Sequence, residues 1–361
     1  MQEYNRILEN PYKKYTTIDK NSKIFLNVKK YLEENIKDNN VFISLSLGVD
    51  SACLFFTFLE LSKILNFNLY VIHINYRNRT ESNDECNFII KLANLYNVKF
   101  FIHTMPIIRK NTSREAYERK TNQMRYEFYM EILNFINSKN GIYLAHIKDD
   151  KIENIFTNVI NGRSILDLEV FQYTNIVNGV LIHRPLLNTY KNELFEFADK
   201  YNIPYFKNST PTWARRYKLR FEVFPDLNEK FGNIFTNILK LGKQSSDYSK
   251  TINRTIILPF FRNSLKYNKY GVFFELNEEI KQFEDSIWDT IFIKIFHEIF
   301  SHPRPSNNSI ENFIKTIKSS RNEGFINLSK EYDCFFKNDI YYIYNNKNFT
   351  NKKQIINDIL S

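Results

Sequence analysis

The sequence predicts an α/β fold in which a doubly wound parallel sheet is followed by a smaller α+β domain. Three observations carry this prediction. Four short apolar runs alternate with segments of helical spacing between residues 40 and 160, which is the rhythm of βαβ units. The run 69–74 is continuously apolar, as in strands that are buried on both faces of a parallel sheet. Beyond residue 230 the rhythm changes, and 361 residues are enough for a second domain.

The predicted elements of the first domain follow one another along the chain. Strands are expected at 41–43, 69–74, 99–103 and 141–145, and helices at 21–37, 52–65, 81–96, 114–136 and 149–160. In the helix 81–96 the apolar face consists of Phe88, Ile89, Leu92 and Leu95. Ligands bind such sheets at the carboxyl ends of the strands. The loops after the first, second and fourth predicted strands carry the chemically most informative residues.

The remainder of the chain predicts a second, smaller α+β unit. A helical connector is expected from about 230 to 251, followed by helices at 277–300 and 309–319. The segment 339–344 is rich in residues that favour strands. No internal repeats accompany these elements.

Composition narrows the class of protein. The formal net charge of +10 and the pI of about 9.2 fit a polyanionic partner such as RNA. An alternative is that A/T-rich codons, which specify Lys, Asn, Ile, Tyr and Phe, produce part of the lysine excess. The three cysteines form no CxxC pair. No signal peptide or membrane span is predicted, so a reducing, cytoplasmic setting is expected.

The segment after the first strand predicts a phosphate-binding loop. It opens an apolar helix and consists of Ser46, Leu47, Gly48, Val49, Asp50 and Ser51. A turn of Ser, Gly and Asp at a helix start offers free backbone N–H groups and hydroxyls to a phosphate. The positive end of the helix dipole adds to the attraction.

A second polar segment, 146–154, follows the fourth strand. Asp149 and Asp150 are adjacent carboxylates, and Glu153 lies one helical turn further on. Together with Asp50 across the same cleft, they suit Mg²⁺, which prefers carboxylate oxygens and the phosphates of its ligand. The alternative is that Asp149 and Asp150 only cap the helix. Beside a phosphate loop, the metal hypothesis is the better one.

Five segments in order resemble the tRNA(Ile)-lysidine synthetase family of the PP-loop ATP pyrophosphatases. They are the phosphate loop 46–51, the His-x-Asn loop 73–79, the segment 146–154, the Arg-Pro-Leu-Leu segment 184–187, and the basic segment 216–220 followed by Pro225. The resemblance covers about residues 40–345 and implies a Rossmann-like PP-loop ATPase fold. It divides the chain into an N-terminal extension (1–36), a nucleotide-binding catalytic domain (37–229), a helical connector (230–270) and a C-terminal tRNA-binding-type domain (271–361).

The resemblance implies a two-step modification of the wobble cytidine in an isoleucine tRNA with a CAU anticodon. The cytidine O2 attacks the α-phosphate of ATP and pyrophosphate leaves; the ε-amine of free lysine then displaces AMP at C2. Asp50, Asp149, Asp150 and Glu153 are the expected catalytic residues, with Asp50 and Asp149 on Mg²⁺. Besides the phosphate loop, the expected ATP-binding residues are His73, Arg79 and His146.

A run of basic and aromatic residues predicts a tRNA contact. It surrounds Trp213 and Tyr217 and consists of Lys207, Arg215, Arg216, Lys218 and Arg220. Such interleaving fits phosphate contacts and base stacking, whereas the alternative is a solvated helix face around one buried tryptophan. The expected tRNA surface also includes Arg119, Arg125 and Arg184. The oligomeric state is left open, and a homodimer is compatible with the sequence.

Leu47 is the main departure from the family pattern, because it stands where the family has a glycine. Its side chain either turns into the apolar helix layer beside Leu54 or Phe55, or points into the cleft and excludes pyrophosphate. Two alternatives to a lysidine synthetase therefore stay open. One is another PP-loop tRNA modifier of the 2-thiolating type, and the other is a catalytically weak RNA-binding relative.

Overall fold

The structure, a computed structural model, describes residues 8–9, 15–77, 82–106, 113–207, 215–319 and 321–349. The chain divides into two compact units. The first comprises residues 1–163 and 168–243, and the second comprises 164–167 and 244–361. None of the helices in the described parts of the chain is both long and apolar enough to cross a lipid bilayer.

The first unit is built on a six-stranded sheet in the order β4-β3-β2-β5-β7-β6. Its strands are β2 (Asn40–Ser44), β3 (Asn68–Asn75), β4 (Lys99–Thr104), β5 (Ile142–Tyr143), β6 (Thr174–Val177) and β7 (Val180–His183). All neighbours are parallel except β6, which pairs antiparallel with β7 at the edge. The predicted α/β fold class is confirmed. The edge hairpin of β6 and β7 was not predicted, because its two strands are only four residues each.

Helices cover the sheet of the first unit. They are α1 (Lys23–Asn35), α2 (Val49–Leu65), α3 (Ser82–Leu95), α4 (Arg114–Ile136), α5 (Lys148–Ile160), α6 (Lys191–Lys200), α7 (Arg215–Lys218), α8 (Phe224–Phe231) and the start of α9 (Ile234–Ile252). Twelve of the 17 residues of α2 are buried, which is typical of a helix that is apolar on all sides. The main core contains α2, together with Phe25 and Leu32 of α1 and Val41 and Ile43 of β2.

A small separate sheet supports the loop between β2 and α2. The backbone of β1 (Leu8–Glu9) pairs antiparallel with β8 (Tyr205–Phe206). The N–H of Phe206 donates to the carbonyl of Leu47 over 2.8 Å. The segment that opens α2 is therefore held from the side by β8.

The second unit is an antiparallel sheet packed on helices. Its strands, in the order β11-β12-β13-β10-β9, are β9 (Lys266–Asn268), β10 (Gly271–Glu275), β11 (Glu323–Asn327), β12 (Tyr332–Lys337) and β13 (Ile340–Asn345). Its helices are α10 (Glu278–Lys281), α11 (Asp285–Lys294) and α12 (Asn307–Ile317). Ile257, Phe260 and Leu265, from the predicted connector, belong to its core. The predicted four-part division of the chain stays a prediction.

The prediction of one helix over 277–300 is wrong. The chain leaves the helix after Lys281 and starts again at Asp285, because Glu284 adopts an extended backbone and forms the N-cap of α11. The second helix then continues as a π-helical turn, Ile295–Ile299. Apolar periodicity alone does not show such a break, since Phe283 on the interrupted segment still packs against the core.

Within the residues that the structure describes, two π-helical turns precede prolines. The turns Leu219–Val223 and Asn253–Ile257 end one residue before Phe224-Pro225 and Leu258-Pro259, and a further π-turn spans Phe260–Ser264. Proline has no N–H, and its ring collides with the carbonyl four residues earlier. A helix therefore widens where it meets one. The first of these turns carries Arg220.

Candidate active site

The predicted phosphate loop lies at the carboxyl end of β2 and runs into the N-terminus of α2. Gly48 is the N-cap residue of α2, and no side chain caps this helix end. The Ser51 hydroxyl donates to the carbonyl of Gly48 over 3.2 Å and accepts from the N–H of Ser46 over 3.3 Å. The loop is thus closed on itself by Ser51, while the first N–H groups of α2 stay available to an anion.

Leu47 turns its side chain into the core. It is fully buried, in the same apolar cluster as Leu54 and Phe55. Its backbone has a φ of 57°, a left-handed conformation in which glycine carries no steric cost. The first of the two predicted orientations is therefore the one observed. The backbone keeps the shape that a glycine would give it, and no Leu47 side-chain atom stands in the cleft.

The segment 146–154 lies beside this loop because the strand order reverses between β2 and β5. Both strands end at the same edge of the sheet, and a crevice forms where their connections diverge. The Asp150 carboxylate accepts from the N–H of Ile147 over 3.0 Å, as the capping alternative predicts. Asp149 accepts from the backbone N–H of Lys191 over 3.0 Å.

Lys191 connects the two loops. Its Nζ lies 2.9 Å and 2.7 Å from the two carboxylate oxygens of Asp50, while its backbone N–H is bound to Asp149. Burial raises the pKa of the Asp50 carboxyl, and the Lys191 charge offsets only part of that effect. The sequence analysis missed Lys191. A signal was present, because a lysine at the first position of α6 opposes the helix dipole.

Arg220 neutralises the other two carboxylates. Its guanidinium donates to Glu153 and, over 2.7 Å, to Asp150. Burial raises the pKa of Glu153, and the Arg220 hydrogen bond counteracts this in part. Burial also tends to raise the pKa of Asp150. Nearby positive charges, Arg216 and Arg220 among them, outweigh this effect and bring the pKa below its ordinary value. Arg220 thus faces the acidic cluster, a position that does not favour its predicted contact with tRNA.

His146 and Arg184 form a separate pair. The Nε of Arg184 donates to Nδ1 of His146 over 3.1 Å, and the imidazole stacks on Phe171 with the ring centroids 4.7 Å apart. Burial lowers the pKa of His146 to about 3, so the ring is neutral. Arg184 is 3 % exposed and also donates to the carbonyl of Gln172. This placement does not favour a contact between Arg184 and tRNA.

The remaining predicted residues differ in exposure. His73 is buried and its Nδ1 lies 2.8 Å from the carbonyl of Leu45. Arg125 stacks on Tyr126 and donates to Asn122. The exposed basic residues are Arg119, Lys207, Arg215, Arg216 and Lys218. Arg79 and Trp213 lie outside the described residues.

A cavity of about 610 Å³ opens beside these groups. Asp149, Glu153, Lys191 and Arg220 contribute charge of both signs to its wall. The rest of the wall is largely aromatic and comes from Tyr190, Phe195, Phe206, Tyr217, Phe221, Phe224 and Phe235. A ligand that combines charged groups with a flat or aliphatic part fits such a wall.

The residues present fit Mg²⁺ that is shared with a phosphate ligand. Within the described ranges, no group of three His, Cys, Asp or Glu side chains is close enough to hold a metal without help. Asp50 and Asp149 nevertheless both accept hydrogen bonds from Lys191, beside the phosphate loop. One or two carboxylates plus substrate phosphates are what Mg²⁺ uses in nucleotide sites. Asp50 and Asp149 would hold it, and it would neutralise phosphate charge.

Comparison with known proteins agrees with this geometry. The profile of the PP-loop domain family matches residues 20–227, which is more than half of the chain. The chain belongs to the PP-loop family.

A tRNA(Ile)-lysidine synthase of Staphylococcus aureus is 24% identical over 302 residues, covering 82% of this chain and 69% of that protein. One of Chlamydia pneumoniae is 28% identical over 232 residues, 63% of this chain and 70% of that protein. The resemblance indicated by the five segments is confirmed.

A solved structure supports the PP-loop fold. A U34-tRNA thiolase from Methanococcus maripaludis, solved with its 4Fe-4S cluster, superposes with a TM-score of 0.51. It covers 62% of this PP-loop chain and 78% of its own, at 16% identity. At this identity the likeness concerns the fold alone.

Proposed function

We propose that this PP-loop protein is a tRNA(Ile)-lysidine synthetase-type ligase that consumes ATP and releases AMP and pyrophosphate. The observation that carries the proposal is the meeting of three parts at one sheet edge. They are an uncapped helix N-terminus in the phosphate loop, the carboxylates Asp50 and Asp149 joined through Lys191, and the aromatic cavity beside them. The curated relatives carry the name of that enzyme.

In the first step, the wobble cytidine O2 attacks the α-phosphorus of ATP and the bond to the β-phosphate oxygen breaks. The N–H groups at the start of α2 bind the departing pyrophosphate, and fixed donors of this kind stabilise charge that develops in the transition state. When bound, Mg²⁺ would neutralise the triphosphate. The phosphate loop and the segment 146–154, which Lys191 connects, would hold the nucleophile and the phosphate in line. Such positioning removes an entropic part of the barrier.

In the second step, the ε-ammonium of lysine first loses a proton; the neutral amine then attacks C2, and AMP leaves with the O2 oxygen. Glu153 and Asp149 line the cavity, and burial raises the pKa of each carboxyl above its ordinary value. A carboxylate with a raised pKa is a better proton acceptor. Arg220 holds Glu153 in place for this role.

The 2-thiolating alternative has less support. Its chemistry uses cysteines close to the reacting base. All three thiols of this chain are buried, and Cys53, Cys86 and Cys334 lie in α2, α3 and β12.

Mass analysis of tRNA nucleosides decides between these functions. The tRNA is incubated with the protein, ATP, Mg²⁺ and lysine, and a cytidine that has gained lysine is expected. A cytidine or uridine that gains sulfur from a sulfur donor would establish the thiolating alternative. Binding of tRNA without pyrophosphate release would establish the RNA-binding relative.

The two carboxylates at the phosphate loop give a first testable prediction. Asp50→Asn and Asp149→Asn keep the size and one acceptor of each side chain but remove its charge. Each is expected to slow ATP-dependent pyrophosphate release by about 10²–10³-fold, the scale of a lost transition-state contact. Circular dichroism should show an intact fold. Unchanged turnover in either variant would remove that residue from the mechanism.

A further inference from the structure

Lys191 lies where it competes with a divalent cation for Asp50. Its ammonium lies within 2.9 Å of both carboxylate oxygens, so neither is free for a metal while the lysine stays in place. The same residue holds Asp149 through its backbone N–H. One residue thus engages both candidate metal ligands.

The surroundings allow the ammonium to leave. Lys191 lines the cavity, its side chain is 27% exposed, and its Nζ lies 5.6 Å from the centroid of the Phe195 ring. A lysine carries its charge on a flexible four-carbon stem. Its backbone contact with Asp149 does not depend on where the ammonium points. The side chain can therefore swing from Asp50 towards the cavity while α6 stays in place.

The charges around the site favour such an exchange. Asp50 is influenced by Asp150 as well as by the cations Lys191 and Arg220. A carboxylate largely withdrawn from water is costly without a cation, and the Asp50 side chain is 21% exposed. Lys191 therefore stabilises its charge until a metal replaces it. A triphosphate that arrives with its metal brings new negative charge, which gives the displaced ammonium a partner.

We propose that Lys191 is an exchangeable counter-ion: it neutralises Asp50 in the empty site and binds the triphosphate once a divalent cation takes its place. This inference rests on the proposed ATP-dependent function and adds a substrate-binding residue to it. It predicts that the Lys191 side chain weakens metal binding in the absence of nucleotide. In the presence of nucleotide, Lys191 should strengthen binding of the metal–nucleotide complex.

The test uses Mn²⁺ as the metal and α,β-methylene-ATP as a nucleotide that cannot be cleaved. The full-length wild type and Lys191→Met are titrated with Mn²⁺ alone, and free Mn²⁺ is followed by electron paramagnetic resonance. We expect Lys191→Met to bind Mn²⁺ about tenfold more tightly than the wild type, a typical coupling between two ligands of one site. In contrast, its affinity for the Mn²⁺-nucleotide complex is expected to fall about tenfold.

Two further variants separate this mechanism from a general charge effect. Lys148→Met removes a positive charge from a side chain whose Nζ lies over the Tyr190 ring, 4.1 Å from its centroid. It should bind Mn²⁺ like the wild type. Adding Asp50→Asn to Lys191→Met should abolish the gain in Mn²⁺ affinity. If Lys191→Met does not fold, Lys191→Gln replaces it, since an amide keeps a donor for Asp50 without the charge.

Equal nucleotide-free Mn²⁺ affinity in the wild type and the Lys191 variant would overturn the proposal, as would an equal gain in Lys148→Met. The Mn²⁺ titration without nucleotide requires neither ATP turnover nor tRNA. A wild-type protein that leaves tRNA unmodified would refute the proposed function without changing the Mn²⁺ result. Unchanged nucleotide affinity in the Lys191 variant would refute the second half of the exchange.

Discussion

At the scale of single residues, Leu47 departs from the family pattern but retains a backbone conformation that favours glycine. The family glycine is replaced, but its backbone conformation is kept at φ 57°. Of the two expected orientations, the side chain adopts the one in the core and does not point into the cleft. Left-handed backbone costs a non-glycine residue roughly 1–2 kcal/mol, and burial of the leucine side chain contributes roughly 1.5–3 kcal/mol. The two effects nearly offset each other.

The opposition of these two effects predicts an unusual order of stability. Leu47→Ala loses the buried side chain and keeps the backbone cost, whereas Leu47→Gly loses both. The glycine variant should therefore be more stable than the alanine variant by about 1 kcal/mol, although it is smaller. Both should be less stable than the wild type, because each leaves a cavity. Urea unfolding measures this order.

Nucleotide binding provides the control for Leu47. Since the side chain faces the core, affinity for ATP should change only modestly in Leu47→Gly. An increase of about tenfold or more, 1.4 kcal/mol, would show that the native loop is obstructed, and would favour the RNA-binding relative.

His183 predicts a pH dependence of stability. It is 1 % exposed, stacks on Tyr143 at 4.5 Å, and burial lowers its pKa from 6.5 to about 4. Between these values the unfolded chain binds the proton and the folded chain does not, so stability is complete above pH 6.5 and is lost towards pH 4. The contribution lost between pH 7 and pH 5 is on the order of 2 kcal/mol.

The measurement for His183 is urea unfolding at several pH values. In His183→Gln, the free energy of unfolding should fall less steeply with acid than in the wild type. The exposed His297 gives a matched control, and His297→Gln should keep the wild-type slope. An identical slope in all three proteins would contradict the assignment.

At the scale of elements, the region from α7 into the π-turn separates two groups of basic residues that look alike in the sequence. Arg215 and Lys218 are exposed on α7, whereas Arg220 points at the carboxylates and Arg216, although exposed, also pairs with Glu153 over 3.9 Å. The π-turn before Pro225 changes the angular spacing of the side chains along the helix. Only the exposed residues Arg215 and Lys218 are expected to contact a polyanion such as tRNA without disturbing the acidic cluster.

A prediction for tRNA binding follows from α7. Neutralising Arg215 and Lys218 to Gln should weaken tRNA binding and reduce the slope of log affinity against log salt by about one unit for each lost phosphate contact. Arg216 and Arg220 are left in place because both pair with Glu153, and their loss would disturb the acidic cluster. The matched control is Lys20→Gln and Lys30→Gln on and before α1, which removes the same charge. Equal losses in both double variants would make the effect one of net charge.

The elements also show where sequence reasoning succeeds. The strands β2 to β4 and the helix α4 are recovered from apolar runs and periodicity, because each is long and buried enough for its pattern to dominate. The helix break at Glu284 and the hairpin β6-β7 depend on local backbone geometry and on pairing partners distant in the chain. The phosphate loop and the acidic segment were recognisable as motifs. The contact between Lys191 and Asp50, in contrast, becomes visible only when two distant segments of the chain meet.

At the scale of the whole molecule, the net charge of +10 allows two explanations that make different predictions. If codon bias alone produced the lysines, tRNA and a generic RNA duplex of equal length would bind alike, since phosphate contacts are independent of sequence. If the basic residues form a specific surface, tRNA should bind at least about tenfold more tightly at physiological salt. Competition binding at 150 mM KCl distinguishes the two.

The burial of α2 has a consequence for dynamics. Amide hydrogens on a helix enclosed by apolar side chains exchange with solvent only when the surrounding unit opens. The phosphate loop therefore leads into a helix whose hydrogen-bonded amides should exchange slowly, whereas Arg215 and Lys218 of α7 lie at the surface of the first unit. The helix that would bind pyrophosphate is thus expected to be ordered before any ligand arrives, and the flexible side chains of α7 are the groups expected to adapt to an RNA.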